Sequence, residues 1–343
     1  MKKILVTGGC GYIGSHTIIN LIDNGFELVS IDDLSNARAS SIEHIKDITG
    51  RTVPNYTVDL KDIQATRGVF QKEGPFAGII HFAAYKLVGE SVEKPLAYFR
   101  NNLFSLLNIL ECMREFDTDN LIFSSSCSVY GNTDQLPVTE ETPRQSAESP
   151  YGRTKQMGED ILRDVSTLSG HPKTVLLRYF NPAGAHESSL HGEDPANKAS
   201  NLVPVITETA MGKRKNMKVF GTDYDTRDGS CVRDYIHVMD LAAAHTLALQ
   251  YLLEGRNQST CETFNLGIGE GVTVLEAIQA FEKVTNQKLA YEVGPRRPGD
   301  VEAIYANYEK AAKHLRWQPK RNIEDIMATA WAWEQRRSAS APD

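Results

Sequence analysis

The sequence predicts an α/β protein, a doubly wound parallel sheet carrying a second, smaller α/β domain. Three observations lead there. Through the first half, short β-branched runs alternate with longer amphipathic stretches, the pattern of repeated βαβ units. The run at 78–82, GIIHF, is apolar but for His81, as expected of a strand buried on both faces. The first run passes through a cluster of glycines straight into a helical pattern, the junction at which such sheets hold a nucleotide.

The elements follow in order. Strands are expected at 3–7, 27–31, 52–58, 78–82, 121–125 and 174–178, each rich in Val, Ile, Leu or Thr and bounded by turn residues. Helices are expected between them at 12–24, 62–72, 95–114 and 151–168, where apolar residues recur at helical spacing. After about residue 180 the texture changes. Gly, Pro, Asn and Asp cluster at 181–201 and 221–229, and loops that long in a compact protein usually carry function. Helical patterns return at 203–211, 239–253, 274–284 and 323–335. The expected division is a Rossmann-type nucleotide domain over 1–180 and a substrate domain over 181–337. A segment at about 235–262 returns to the first domain, and 338–343 forms a polar tail.

Composition narrows the function. Of 343 residues, 41% are hydrophobic and 24% charged, enough apolar material for a sizeable core. The net charge of −7 argues against a nucleic-acid partner, which needs a basic face. The short basic run Lys213-Arg214-Lys215 reads as a solvated loop. Five scattered cysteines without C-x-x-C spacing favour a reducing compartment over a disulfide framework or zinc site. The apolar run after Met1-Lys2-Lys3 stops at Gly8, too short for a signal sequence, and no stretch reaches membrane-spanning length. A cytoplasmic location without membrane attachment is expected.

Residues 3–16 read KILVTGGCGYIGSH. Gly9, Gly11 and Gly14 satisfy G-x-G-x-x-G, while Gly8, Gly11 and Gly14 satisfy G-x-x-G-x-x-G. The spacing gives a tight turn, close backbone approach to a pyrophosphate, and close helix–strand packing. The next strand ends in Asp32-Asp33, near the spacing at which a carboxylate binds the adenosine ribose hydroxyls. A carboxylate there repels a 2′-phosphate, so NAD is expected rather than NADP.

The strand LIFSS runs into Ser126, and SPYGRTK places Tyr151 and Lys155 four residues apart, on one face of the helix that Tyr151 opens. A free tyrosine, with a pKa of about 10, is a poor base at neutral pH. A neighbouring ammonium and a positive nicotinamide both favour phenolate and should lower that value. Ser126 is placed to bond the same substrate hydroxyl. Together these residues point to oxidation and reduction of a secondary alcohol.

With these residues in view, the chain resembles the extended short-chain dehydrogenase/reductase family and, within it, the UDP-glucose (UDP-galactose) 4-epimerases. The resemblance runs from Lys3 to about Trp333. It rests on TGGCGYIGSHT, HFAAYKLVGESVEKPL, FSSSCSVYG, SPYGRTK, LLRYFNPAGAH, GEDP, VRDYIHVMDLA, FNLGIGEG and RRPGD. It implies reversible 4-epimerisation of UDP-glucose and UDP-galactose through a 4-keto sugar, with NAD retained and a homodimer built on the 95–114 and 151–168 helices.

By the same resemblance, Gly8, Gly11, Tyr12, Ile13 and Gly14 would contact the pyrophosphate. Asp32, Asp33, Leu34, Ser35 and Asn36 would surround the adenosine ribose, and Asp59 and Leu60 the adenine. Phe82, Ala83, Ala84, Lys86, Asn101 and Phe180 would line the rest of the cofactor, beside Ser126, Tyr151 and Lys155. Asn181, Asn201, Leu202, Phe220, Arg233, Arg297 and Asp300 would hold the UDP moiety, with Ser126 and Tyr151 at the sugar. Guanidinium forks suit diphosphate oxygens.

Three departures stand out: Asp33 where Asn is common, Ala84-Tyr85 where Gly-Leu is usual, and Ile304 where glucose-specific members often carry Tyr. Ile304 becomes a candidate selectivity residue. His186, Glu187, His191, Glu193 and Asp194 match no regular metal-ligand spacing, so no metal is expected. Two rivals remain. A nucleotide-sugar 4,6-dehydratase needs acidic residues just after the strand-end Ser or Thr, where this chain has Cys127 and Ser128. A redox-sensing NAD-binding regulator needs no Tyr151.

Overall fold

The structure is a computed structural model that describes residues 1–169, 171–195, 199–297 and 301–339. The first unit runs β1 (Lys3–Thr7), α1 (Tyr12–Asp23), β2 (Glu27–Ile31), α2 (Ser40–Thr49), β3 (Asn55–Tyr56), α3 (Ile63–Glu73), β4 (Gly78–His81), α4 (Val88–Glu93), α5 (Pro95–Glu115), β5 (Asn120–Ser126), α6 (Pro150–Ser169) and β6 (Lys173–Tyr179). A 3-10 turn over Cys127–Tyr130 follows β5. Beyond it come β7 (Asn181–Ala183), α7 (Leu202–Ala210), β8 (Met217–Phe220), β9 (Val232–Arg233), β10 (Tyr235–His237), α8 (Val238–Leu253), β11 (Cys261–Leu266) and β12 (Val272–Thr273). The chain ends with α9 (Val274–Thr285), β13 (Tyr291–Gly294), β14 (Ala303–Ile304), α10 (Glu309–Leu315) and α11 (Ile323–Ala339).

Seven strands form one parallel sheet in the order β11-β6-β5-β4-β1-β2-β3. The winding reverses between β1 and β4, which makes the carboxyl ends there the natural ligand site. Two apolar layers cover the sheet. One contains Ile18 and Ile19 of α1, Leu241, Ala244 and Leu249 of α8, and Trp317. The other contains Val69 of α3, Leu106 and Ile109 of α5, and Leu162 of α6. Thus α8, β11 and α10, all late in the chain, pack with the first elements. A third cluster, around Val203, Ile206, Phe281, Ile326 and Met327, joins α7, α9 and α11.

Two expectations need correction. The strand over 52–58 shrinks to Asn55–Tyr56 at the sheet edge, because Pro54 lacks an amide and contributes only its carbonyl, to Ser30. Helix α11 extends through Ser338, whose hydroxyl donates to the Glu334 carbonyl, so the tail begins later than composition suggested. The run Lys213-Arg214-Lys215 lies in a loop with Lys213 and Lys215 exposed, as expected, and Lys213 pairs with Glu334 at 2.7 Å and Arg214 with Glu208 at 2.6 Å. Helices α2, α4 and α10 and strands β7 to β14 were not anticipated. Among the described residues, no helix is long and apolar enough to cross a membrane.

Candidate active site

The site is assembled at the carboxyl ends of β1, β2, β4, β5 and β6. After β1 the chain turns at Gly8, whose φ of 70° suits glycine. A Cβ on Gly8 would lie 2.8 Å from the Ala83 nitrogen, and one on Gly14 would lie 2.2 Å from the Gly8 carbonyl oxygen. Gly11 caps α1 without a side-chain hydrogen bond, so the first amides of that helix stay open. Open amides, bare backbone and dipole together fit a pyrophosphate.

At the end of β2, Asp32 is 8% exposed and accepts the amides of Cys10, at 3.0 Å, and Leu34, at 2.9 Å. Burial raises its pKa above the usual carboxylate value, while those amides hold it down. The carboxylate is thereby locked at the edge of the glycine turn, where a ribose diol fits. Asp33 turns outward and binds the backbone and hydroxyl of Ser35, beside Asn36 in the same bend. Leu34 takes a φ of 60°, which completes the turn.

Lys61 bridges two expected cofactor residues, pairing with Asp59 at 2.9 Å and donating to Asn101 Oδ1 at 3.1 Å. Leu60 is buried and offers its carbonyl to Asn108. Phe82 packs on His245, with ring centroids 4.6 Å apart, and the Ala83 amide reaches Thr7 Oγ1. Ala84 is partly exposed in this turn, and the following Tyr85 is fixed by Asn102, which also donates to Thr154 on α6. Lys86 points to Glu193, 3.7 Å away, whose other contact is the Asn201 amide.

The catalytic candidates converge. Tyr151, hydrogen-bonded to Ser126, sits one helical turn from Lys155, whose ammonium lies 5.9 Å from the Tyr151 ring centre. Lys155 is 4% exposed and donates to the Ser124 carbonyl at 2.5 Å. Ser126 also accepts from Ser128 Oγ at 3.0 Å. Burial pushes Tyr151 up to about 12, against the weaker pull of Ser126, and lowers Lys155 to about 8.

The expected UDP residues fall into separate groups. Asn181 in β7 bonds through its amide to the Asp234 carbonyl, and β14 pairs with β9 so that Ile304 faces Arg233. Arg233 donates to the carbonyls of Val232 and Glu302. Phe220 ends β8 beneath the Arg297 guanidinium, 3.9 Å from its ring centre. Glu302 lies between these groups, its carboxylate accepting from the Asp225 amide. Asn201 and Leu202 open α7. Asp300 lies outside the described residues. Ile304 is buried in a small cluster with Val129, Tyr130, Val138 and Phe180, so it is core packing as well as a neighbour of the site.

Several groups had no assigned role in the sequence reading. Asp234, fully buried, accepts the amides of Ile268, Gly269 and Ala306, and burial raises its pKa to about 6. The 186–194 residues do not gather as ligands. His186 bonds Ser188, His191 bonds Ser15 and His44, and Asp194 pairs with Arg38 and Arg337. Among the described residues no group of three His, Cys, Asp or Glu could hold a metal.

The family model described as GDP-mannose 4,6 dehydratase matches residues 5–330. The chain is 47% identical to UDP-glucose 4-epimerase 2 of Arabidopsis thaliana, over 97% of this chain and 95% of that one. It is 45% identical to UDP-glucose 4-epimerase of Bacillus subtilis, over 96% of each. The crystal structure of UDP-glucose 4-epimerase from Bifidobacterium longum in complex with NAD+ and UDP superposes with a TM-score of 0.94. It is 43% identical, covering 98% of this chain and 99% of that one. The chain belongs to the UDP-glucose 4-epimerase family of extended short-chain dehydrogenase/reductases.

Proposed function

We propose that the protein interconverts UDP-glucose and UDP-galactose by inverting C4, as an NAD-dependent isomerase. The observation that carries this reading is the convergence of Ser126, Tyr151 and Lys155 at the carboxyl end of β5, next to a glycine turn shaped for a dinucleotide. Tyr151 takes the C4 hydroxyl proton and later returns it, with Ser126 bridging the two oxygens. Lys155 supplies the positive charge that makes phenolate accessible. Bound NAD supplies reversible hydride acceptance at C4, so the sugar passes through a 4-keto form. The two faces of C4 are exchanged while Arg233, Arg297, Phe220, Asn181, Asn201 and Leu202 retain the UDP moiety.

Gly8, Gly11, Tyr12, Ile13 and Gly14 hold the pyrophosphate in this reading. Asp32 binds the ribose diol, with Asp33 to Asn36 around it. Asp59, Leu60, Asn101, Phe82, Ala83, Ala84, Lys86 and Phe180 complete the cofactor's surroundings. Residues 1–180 act as the cofactor domain, and 181–337, apart from the returning segment at about 235–262, as the nucleotide-sugar domain. Cys127 and Ser128 supply no acid for eliminating water from C5 and C6, which favours epimerisation over the dehydration in the matching model's description.

The protein works in the cytoplasm, in galactose metabolism, without nucleic-acid or membrane partners. Its assembly is a homodimer. Leu96, Phe104 and Leu107 on α5 and Val88 and Val92 on α4 are exposed, an apolar stripe that a second copy would cover. Incubation of the purified protein with UDP-galactose, without added NAD, tests the activity: UDP-glucose is expected, and no conversion refutes it.

A further inference from the structure

The geometry points to the buried Glu159–Arg178 ion pair as a positioning device for Lys155, with Glu159 supplying the fixed negative charge that holds the ammonium charged and in place. This inference rests on the proposed epimerase reading. Tyr151, Lys155 and Glu159 stand at i, i+4 and i+8 on α6, one face of the helix. The three consecutive serines of β5 meet them in turn: Ser126 bonds Tyr151, the Ser124 carbonyl accepts from Lys155, and Ser125 donates to Glu159 at 2.6 Å. Arg178 of β6 then forks onto Glu159, Nε at 2.8 Å and Nη2 at 2.6 Å. Glu159 is fully buried and Arg178 2% exposed.

A buried ammonium loses its charge unless a counter-charge stands nearby. Among the described residues packed against Lys155, one group supplies it. Tyr151 and Glu159 share its helix, while β5 offers the Phe123 ring at 4.9 Å and the Ser124 carbonyl. From β4 comes His81, which burial lowers to about 3 and so keeps neutral. From β6 comes Tyr179, a protonated phenol bonded to Ser124. Glu159 alone among these is an anion, and it opposes the burial that lowers Lys155. Arg178, with Arg163 at 3.4 Å and Arg144 at 3.6 Å, keeps that carboxylate ionised across the working pH range.

The alternative is a strut that merely ties α6 to the sheet, and pH dependence separates the two. The holoenzyme is assayed with UDP-galactose across pH 6–10, and Lys155 is followed by NMR of ε-¹³C-lysine. In Glu159→Gln, Lys155 should titrate about one pH unit lower, and the alkaline limb of kcat should move with it. At pH 8.5 that is a loss of about tenfold in kcat, with KM and bound NAD within about twofold. Glu159→Leu/Arg178→Met removes both charges without stranding the arginine and should show a shift of the same sign. Uniform loss of kcat at every pH, with Lys155 titrating as in the wild type, overturns the inference. So does failure of both variants to fold. A wild-type protein that does not epimerise refutes the proposed function instead, and the lysine titration still reads the charge coupling.

Discussion

Tyr151 meets two opposing influences, burial that favours the phenol and the Ser126 hydrogen bond that favours phenolate. In the chain alone burial wins and the pKa lies at about 12. Tyr151→Phe should lower kcat by about a hundredfold to ten-thousandfold while nucleotide-sugar binding survives. Near-normal turnover in the folded variant would mean another group is the base. Ser126→Ala should cost less, since the phenolate remains. Asp32 is held by two backbone amides that do not depend on ligand, so Asp32→Ala should weaken NAD retention and relax exclusion of NADP. Unchanged NAD affinity together with continued rejection of NADP, measured by titration, would remove Asp32 from the ribose site. Some of this was legible in the sequence and some was not. Gly14 was, because its spacing announces a contact that a Cβ, 2.2 Å from the Gly8 oxygen, would block. Asp234 was not, since its partners lie at residues 268, 269 and 306 and leave no local pattern.

At the scale of elements, strand ends and helix faces do the positioning. Strands β1, β2, β4, β5 and β6 were readable because burial on both faces makes them near-continuous apolar runs, whereas β11 at the sheet edge was not. Helix α2 was not, because Ala39 provides no side-chain cap and its buried residues are few. The Glu159–Arg178 pair left one faint trace: an arginine inside the apolar strand LLRY must have a buried acidic partner, but nothing local says which. Ile304 belongs here too. It sits in an apolar cluster with Phe180, so Ile304→Gly should destabilise the fold by about 2–5 kcal/mol as well as enlarge the sugar side. Relative to glucose and galactose substrates, UDP-N-acetylglucosamine turnover should be weak in the wild type and rise in the folded variant. Equal specificity constants in the wild type, or no gain in the variant, would make Ile304 packing alone. On α5, Phe104→Glu combined with Leu107→Glu should convert a dimer to a monomer by light scattering. A wild-type monomer would refute the homodimer.

Across the whole molecule, buried histidines tie stability to pH. Burial lowers His16 and His245 to about 4, and His81 and His237 to about 3. Between those values and the unfolded value of about 6.5, the unfolded chain binds more protons. Stability is therefore full above pH 6.5 and falls as pH drops through that window. Asp234, raised to about 6, acts in the opposite sense as pH falls, as do Asp32 and Glu140, which burial also raises, but the lowered imidazoles, His186 and His191 among them, outnumber these carboxyls. The unfolding temperature should be clearly lower at pH 5 than at pH 7.5, and a flat or rising profile would show that these imidazoles are not held neutral. The same compact core closes the sheet with β11 and α8 from late in the chain, bringing both halves of the site onto one frame. The central claim is that hydride leaves and returns to C4 within that frame. The most direct measurement is conversion of UDP-galactose in deuterated water without added NAD, with the product read by NMR and mass spectrometry. UDP-glucose free of deuterium at C4 and C5 is the predicted result. A 4-keto-6-deoxy product carrying deuterium, or no conversion at all, would contradict it.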